Sequence, residues 1–357
     1  MFPTLESLSA GAIALLGRMV EVPSISREED QVADLVADFL RRKGFRVNRD
    51  MNNFWVKAPE VPGGRTLLLN SHIDTVKPAA SWTRNPFLPV VEDGRMYGLG
   101  CNDAGASVVS LTAAFLWLAA YPERAFNLTL ALTAEEEVTG RNGLLRVLDT
   151  LGPVDLALVG EPTGMQMAVA ERGLMVLDGL AEGKSGHTAR KEGVNALYKA
   201  MDDIAWFRSF HFPEVSGLLG EVGMNVTMIQ AGTQHNMVPD RCTYVVDVRT
   251  NEHYSNQQAL DIIRHHLRYS TVTPRSTNLN SPGIALSHPI VRRGQALGLS
   301  CYGSPTLSDQ TRLTCPSFKM GPGESSRSHT ADEYIILQEI RDGIAMYIKL
   351  LKDFSWE

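Results

Sequence analysis

The fold is decided by the stretch Arg65-Thr-Leu-Leu-Leu-Asn-Ser-His72-Ile-Asp74. Its apolar residues are consecutive, which is typical of a strand buried on both faces of a sheet. Two more runs of strand length follow, Asn127-Leu-Thr-Leu-Ala-Leu-Thr133 and Asp155-Leu-Ala-Leu-Val159, and helical patterns lie between the three runs. We therefore predict an α/β domain whose sheet is flanked by helices.

The pattern changes after Gly173. The predicted elements there are strand 175–181, helix 193–207, strands 224–229 and 243–249, helix 256–267 and strand 272–279. This β-α-β-β-α-β order is that of an α+β ferredoxin-like sandwich. The α/β pattern resumes after the break at Ser281-Pro-Gly, so we predict one domain of residues 1–173 and 287–357 with an inserted domain at 174–286.

Composition excludes several classes of protein. The chain has 34 basic and 40 acidic residues, a net charge of −6, and its longest basic run is Arg41-Arg42-Lys43, so we expect no nucleic-acid partner. The 4 cysteines lack the paired spacing of a disulfide framework or a thiolate zinc site. The first basic residue is Arg18, which is not typical of a signal peptide, and we expect a cytoplasmic protein.

Residues 104–122 carry no charge and approach the length of a membrane span. The segment contains Gly105 and Ser107, has no flanking basic cluster and is followed at once by a strand. We interpret it as a helix buried against the sheet and expect no membrane association.

Acidic residues and histidines follow the predicted strands, at the edge where open α/β sheets place their ligands. They are His72, Asp74, Asp103, the run Glu135-Glu136-Glu137, Glu161 and His329. Each has an ordinary alternative: a loop histidine, a helix cap, a solvated acidic face or a turn. Their conjunction at one edge favours a pair of cations, because adjacent carboxylates repel one another unless positive charge compensates.

The motifs resemble the ordered signature of a family of zinc-dependent amidohydrolases, whose members include acetylornithine deacetylase, succinyl-diaminopimelate desuccinylase and several di- and carboxypeptidases. The motifs are Ser71-His-Ile-Asp-Thr-Val76, Asn102-Asp103, Ala134-Glu-Glu-Glu137, Gly160-Glu-Pro-Thr163 and Ser328-His-Thr-Ala-Asp-Glu333. The resemblance is strongest to the acetylornithine or acylcitrulline deacetylases. It implies a zinc exopeptidase-like mixed sheet with an inserted lid or dimerisation domain, which Gly183-Lys-Ser-Gly-His187 and Ala231–Asp240 also resemble.

The resemblance further implies two divalent metal ions, expected to be Zn²⁺, with Co²⁺ or Mn²⁺ as alternatives. Asp103 is expected to bridge the ions. One ion would also bind His72 and Glu161, and the other Glu137 and His329. An Asp103–Ala104 cis peptide is expected as well.

The remaining implied roles concern catalysis and substrate. Glu136 is the expected general base and then acid, and Asp74 is expected to hold the far nitrogen of His72. His187 of a partner subunit would stabilise the oxyanion. Arg249 and Asn236 would bind the substrate's α-carboxylate. We expect Glu135 to be solvated.

The predicted function is hydrolysis of the amide bond of an Nα-acyl (acetyl or succinyl) amino acid, with N-acylornithine or N-acylcitrulline of arginine biosynthesis as first choice. Acyl-lysine deacylation, succinyl-diaminopimelate desuccinylation and dipeptide or carboxypeptide hydrolysis are alternatives within the same chemistry. A non-catalytic binding protein is the alternative of another class, but it predicts loss of a ligand or of Glu136. We also expect a homodimer formed through the lid domain.

Overall fold

The computed structural model describes residues 2–356, which divide into two compact units. Unit 1 contains the described residues up to Val169, Ile284–Tyr302 and those from Ser308 onward. Unit 2 contains Ala170–Gly283 and Gly303–Leu307. The role of the inserted segment as a lid or dimerisation domain stays a prediction.

Helices and strands alternate through most of the chain. The helices are α1 Leu5–Val20, α2 Asp30–Arg42, α3 Ala106–Ala120, α4 Leu144–Leu151, α5 Ala196–Ser209, α6 Asn256–His266, α7 Pro289–Ala296 and α8 Leu337–Leu351. The strands are β1 Asn48–Asp50, β2 Asn53–Lys57, β3 Thr66–His72, β4 Val90–Glu92, β5 Arg95–Tyr97, β6 Asn127–Thr133, β7 Leu156–Val159, β8 Met167–Glu171, β9 Met175–Glu182, β10 Gly223–Ala231, β11 Arg241–Arg249, β12 Ser270–Pro274, β13 Cys301–Ser304, β14 Ser317–Lys319 and β15 Tyr334–Ile336.

An eight-stranded sheet has the order β1-β2-β6-β3-β7-β14-β8-β13. Strand β3 lies between β6 and β7 and runs parallel to both, whereas β2 is antiparallel to β6. Leu67, Leu68 and Leu69 of β3 are completely buried, as their continuous apolar run predicts. The predicted mixed sheet flanked by helices is confirmed, and it brings the carboxyl ends of β3, β6 and β7 side by side.

Helix α3 begins after a π-helical turn at Cys101–Gly105. The continuous stretch Cys101–Ala120 is long and apolar enough to cross a membrane, but 72% of its most apolar window is buried inside the protein. Helices α1 and α8 and strands β3 and β6 pack against α3. This apolar segment is therefore a helix of the core of unit 1.

Unit 2 has the predicted β-α-β-β-α-β order, and its four-stranded antiparallel sheet is ordered β10-β11-β9-β12. Side chains of β9 and β11 alternate between a buried face, which packs with α5 and α6, and an open face. The last strand was predicted at 272–279 but spans Ser270–Pro274. Pro274, which has no N–H for the ladder, is its last residue.

Candidate metal centre and active site

Five predicted ligands come together at the carboxyl edge of the large sheet. His72 is the last residue of β3, Glu137 lies four residues beyond β6, and Glu161 lies two residues beyond β7. Because β3 is parallel to both neighbours, these three strand ends meet. Asp103 comes from the π turn before α3, and His329 from the loop before β15.

The two oxygens of Asp103 face different histidines. His72 Nε2 lies 3.3 Å from Asp103 Oδ1 and 3.9 Å from Glu161 Oε1. His329 Nε2 lies 3.6 Å from Asp103 Oδ2 and 3.0 Å from Glu137 Oε2. Donor atoms of His72, Asp103 and Glu137 all lie within 4.8 Å of one another. The site therefore contains two sets of donor atoms, and both sets include the carboxylate of Asp103.

The electrostatics of this edge fit cations. Burial, together with the nearby charges of Asp103 and Glu137, raises the pKa of Glu161 to about 8. A hydrogen bond to Glu137 raises the pKa of His329 to about 9. Neighbouring acidic groups contribute to both shifts, and a bound cation would oppose their mutual repulsion. Imidazole and carboxylate donors are the set that Zn²⁺ and similar divalent ions accept.

Glu136 is a carboxyl group held close to this centre. Burial raises its pKa well above the ordinary value, and the charges of Glu161, Asp309 and Glu137 add to the increase. Its backbone N–H donates to Asp74 Oδ1 at 3.1 Å, which fixes the start of its side chain. A carboxyl group that binds a proton this readily is suited to receiving and releasing one.

Asp74 lies against the far nitrogen of His72, mainly through its backbone oxygen. Nδ1 of His72 lies 2.9 Å from the backbone oxygen of Asp74, but 3.5 Å from its carboxylate. A carbonyl only accepts, so Nδ1 donates a proton to it, and Nε2 faces the carboxylate of Asp103. The carboxylate instead accepts from the N–H groups of Glu136 and Glu137 and from the Ser26 hydroxyl at 2.7 Å. Asp74 therefore orients both the imidazole and the glutamate turn.

The prediction that Glu135 is solvated is wrong. Only 7% of the residue is exposed, and its φ of 56° places its backbone in the left-handed region. Its carboxylate accepts from the backbone and side-chain nitrogens of Asn142 at 3.3 and 2.9 Å. Its N–H donates to Glu29, a buried carboxylate. Glu135 thus shapes the turn that presents Glu136 and Glu137. The Asp103–Ala104 peptide is cis, as expected.

One buried carboxylate near the site was not predicted. Asp309 accepts a hydrogen bond from Thr133 Oγ1 at 2.9 Å, and burial raises its pKa to about 6. Thr133 ends β6, but Asp309 lies 176 residues later in the chain. No spacing or periodicity links the two positions, so the sequence alone gave no signal for Asp309.

The predicted substrate residues lie in unit 2. His187 and Asn236 are exposed on two paired segments: His187 bridges Met237, and the backbone oxygen of Asn236 accepts from Thr188. The guanidinium of Arg249 makes a two-pronged ion pair with Asp247, at 2.8 and 3.1 Å. The proposed roles of these three residues, like the individual roles of the metal ligands, stay predictions.

A sequence profile of peptidase family M20/M25/M40 matches residues 68–353. The chain belongs to this family. The match confirms the family resemblance and the prediction of a metal-dependent amidohydrolase.

The M20/M25/M40 chain is similar to two succinyl-diaminopimelate desuccinylases. The protein from Cereibacter sphaeroides is 28% identical over 378 residues, covering 96% of this chain and 98% of that protein. The protein from Corynebacterium glutamicum is 27% identical over 360 residues, covering 96% of both.

Solved structures show the same fold. An aminopeptidase from Bacillus cereus aligns with a TM-score of 0.78 at 18% identity, covering 96% of this chain and 98% of that one. A dinuclear metal-binding M20 peptidase from Bacillus subtilis aligns with a TM-score of 0.70 at 16% identity, covering 97% and 98%.

Proposed function

We propose that this protein removes an acetyl or succinyl group from an Nα-acyl amino acid by hydrolysing the amide bond. One observation carries the proposal: the carboxylate of Asp103 lies between two histidines, each accompanied by a further acidic residue. Two separate sets of donors that share one carboxylate suit a pair of divalent ions.

The donor sets divide into two sites. His72, Asp103 and Glu161 would hold one ion, and Asp103, Glu137 and His329 the other. When bound, such ions lower the pKa of water to about 7 and polarise a carbonyl oxygen. We propose Zn²⁺ as the native ion, with Co²⁺ or Mn²⁺ able to replace it.

Glu136 is the proposed proton carrier. Its carboxylate takes a proton from the attacking water and passes it to the amide nitrogen, which leaves as an amine. Two features support this role. Its pKa is raised, so it binds a proton readily, and its position is fixed by the contact of its N–H with Asp74.

The residues of unit 2 are assigned to substrate. We propose that His187 donates to the developing oxyanion, and that Arg249 and Asn236 bind the α-carboxylate. A guanidinium suits a planar carboxylate. In this structure the guanidinium of Arg249 holds the carboxylate of Asp247 in the two-pronged geometry that the role requires.

We further propose a cytoplasmic homodimer in which the partner supplies His187. Unit 2 exposes large apolar side chains on α5 and on the edge strand β10. They are Tyr198 (66% exposed), Met201 (53%), Met228 (65%) and Ile229 (52%). Such surfaces are typical of protein contacts, and an unpaired edge strand offers further hydrogen bonds.

The first-choice substrates are N-acylornithine and N-acylcitrulline, which would place the protein in arginine biosynthesis. A second candidate is N-succinyl-diaminopimelate. The names of the two desuccinylases to which the chain is similar favour it.

The test is a substrate panel run on protein of measured metal content. The panel contains acetyl and succinyl forms of ornithine and citrulline, acetyl-lysine, succinyl-diaminopimelate and dipeptides. We expect two ions per chain, turnover of an acyl amino acid, loss of turnover with chelator and recovery with Zn²⁺, Co²⁺ or Mn²⁺. Turnover of dipeptides alone, or full activity without metal, would refute the proposal.

A further inference from the structure

The loop that carries Asp103 is held by a side chain from the segment that carries His329. Glu333 is 2% exposed and lies four residues after His329. Its Oε2 accepts from the Gly100 N–H at 3.0 Å, and its Oε1 accepts from the N–H groups of Asn102 and Asp103 at 2.8 and 2.9 Å. Three backbone N–H groups of the Asp103 loop thus depend on one buried carboxylate.

The side chain of Asn102 connects the Asp103 loop to the backbone of the segment that precedes His329. It is completely buried, and its Oδ1 accepts from the Glu324 N–H at 3.1 Å. Its Nδ2 donates to the Glu324 oxygen at 3.1 Å and to Ser328 Oγ at 3.3 Å. A Cβ on Gly323 would lie 2.3 Å from Asn102 Oδ1, so this close approach requires glycine. Each of the two loops therefore sends one side chain into the backbone of the other.

His329 needs this support because it has little packing of its own. Its side chain is 55% exposed, and its backbone has a φ of 58°. The rest of the segment is anchored outside the site: Arg327 pairs with Glu339 at 2.7 and 3.0 Å, and Asp332 accepts from the N–H groups of Thr83 and Arg84. The contacts of Asn102 and Glu333 described above join this segment to the loop of Asp103.

We infer that Asn102 and Glu333 are positioning residues that set the distance between Asp103 and His329. We call the pair the loop clamp. The oxygens of Glu333 already accept backbone N–H groups, so it acts through Asp103 and not as a further ligand. The loop clamp would then determine how tightly the ion between Asp103, Glu137 and His329 is retained. This inference rests on the proposed two-ion function.

The main variant is Glu333→Gln in the full-length, metal-loaded protein. The amide keeps the size of the side chain but replaces one accepting oxygen with an NH₂ group, which opposes a backbone N–H. We expect one of the two ions to bind about 10–100-fold more weakly, the usual effect of removing a residue that orients a metal ligand. Titration with graded chelator, followed by elemental analysis, measures both dissociation constants.

Asn102→Asp is the second variant, for use if Glu333→Gln does not fold. It keeps the acceptor for Glu324 but loses the NH₂ donor, and we expect the same selective weakening of one ion. The matched control is Asp332→Asn, which changes the neighbouring acidic residue of the same segment without touching the Asp103 loop. The control is expected to retain both ions at wild-type affinity.

The outcomes distinguish a failure of the loop clamp from a failure of the proposed function. If the folded variants bind both ions as tightly as the wild type and only their melting temperatures fall, the loop clamp is merely structural and the inference is overturned. If both ions weaken equally, the selective positioning role is also overturned. If the wild-type protein does not bind two ions, the proposed function fails first.

Discussion

The side chains with proposed functions are held in different ways in the two units. In unit 1, His72 and Asp103 are nearly buried, and carboxylates accept the backbone N–H groups of Asp103 and Glu136. In unit 2, His187 and Asn236 are exposed, and Arg249 is neutralised by its neighbour Asp247.

The difference follows from the chemistry of each group. Converging carboxylates repel one another, so a rigid frame must hold them until cations bind. The groups proposed to bind substrate incur no such repulsion and can stay hydrated in its absence. Substitutions in each unit test this contrast.

Replacing Glu136 with glutamine is expected to have the largest effect. The amide cannot carry the proton, so kcat should fall by about 10²–10⁴-fold. Metal content should stay at the wild-type level because Glu136 is not among the five proposed ligands. Steady-state kinetics and elemental analysis on the same sample measure both. Near wild-type kcat would contradict the proton-carrier assignment.

His187→Ala is expected to lower kcat by about 10²–10³-fold, the typical effect of losing an oxyanion donor. If the partner supplies His187, mixing this variant with Glu136→Gln restores part of the activity, because a mixed dimer has one site with both residues intact. The two variants measured separately are the controls. Absence of recovery in verified mixed dimers would place His187 in its own subunit's site.

Metal affinity should increase with pH. In the metal-free protein the pKa of Glu161 is about 8 and that of His329 about 9, so both groups hold a proton at neutral pH and must release it to bind a cation. Each proposed site contains one of these two groups, so the affinity for its ion should rise by about tenfold per pH unit, up to about pH 8 at the Glu161 site and about pH 9 at the His329 site. Calorimetry in buffers of different ionisation enthalpy counts the protons released. Glu161→Gln should release one proton fewer, whereas a pH-independent affinity would contradict the crowding of negative charge.

Changes at Arg249 should have the smallest effect. Arg249→Lys loses the planar fork and is expected to raise KM about tenfold with little change in kcat. Asp247→Asn frees the guanidinium and is expected to lower KM. Because the Arg249–Asp247 pair is partly exposed, its loss should change stability by at most about 1 kcal/mol. Unchanged KM in both variants would show that the pair is only structural.

The sequence predicted the sheet edge well because strand ends are local signals. The apolar run before His72 predicts a buried strand, and parallel neighbours bring His72, Glu137 and Glu161 together. The five proposed ligands could therefore be chosen from motifs alone.

The supporting contacts could not be predicted in the same way. Asp309 reaches Thr133 across 176 residues, and Glu333 reaches Asp103 across 230. Three adjacent acidic residues usually form an exposed face, which predicts a solvated Glu135. The residue is instead buried in a turn with a positive φ, where its carboxylate contacts Asn142. The pairing of Asp247 with Arg249 was predictable, since residues two apart on a strand share a face.

The long segment of unit 2, Ala170–Gly283, begins and ends in one place, and this has a wider consequence. Ala170 pairs with Gly283, and Leu174 with Leu279, as antiparallel bridges. The beginning and the end of this segment thus run antiparallel and side by side. Because the two ends of this segment are adjacent, its length can change without changing the distance between the flanking strands of unit 1. The junction is therefore suited to inserting or exchanging domains in chimaeric enzymes.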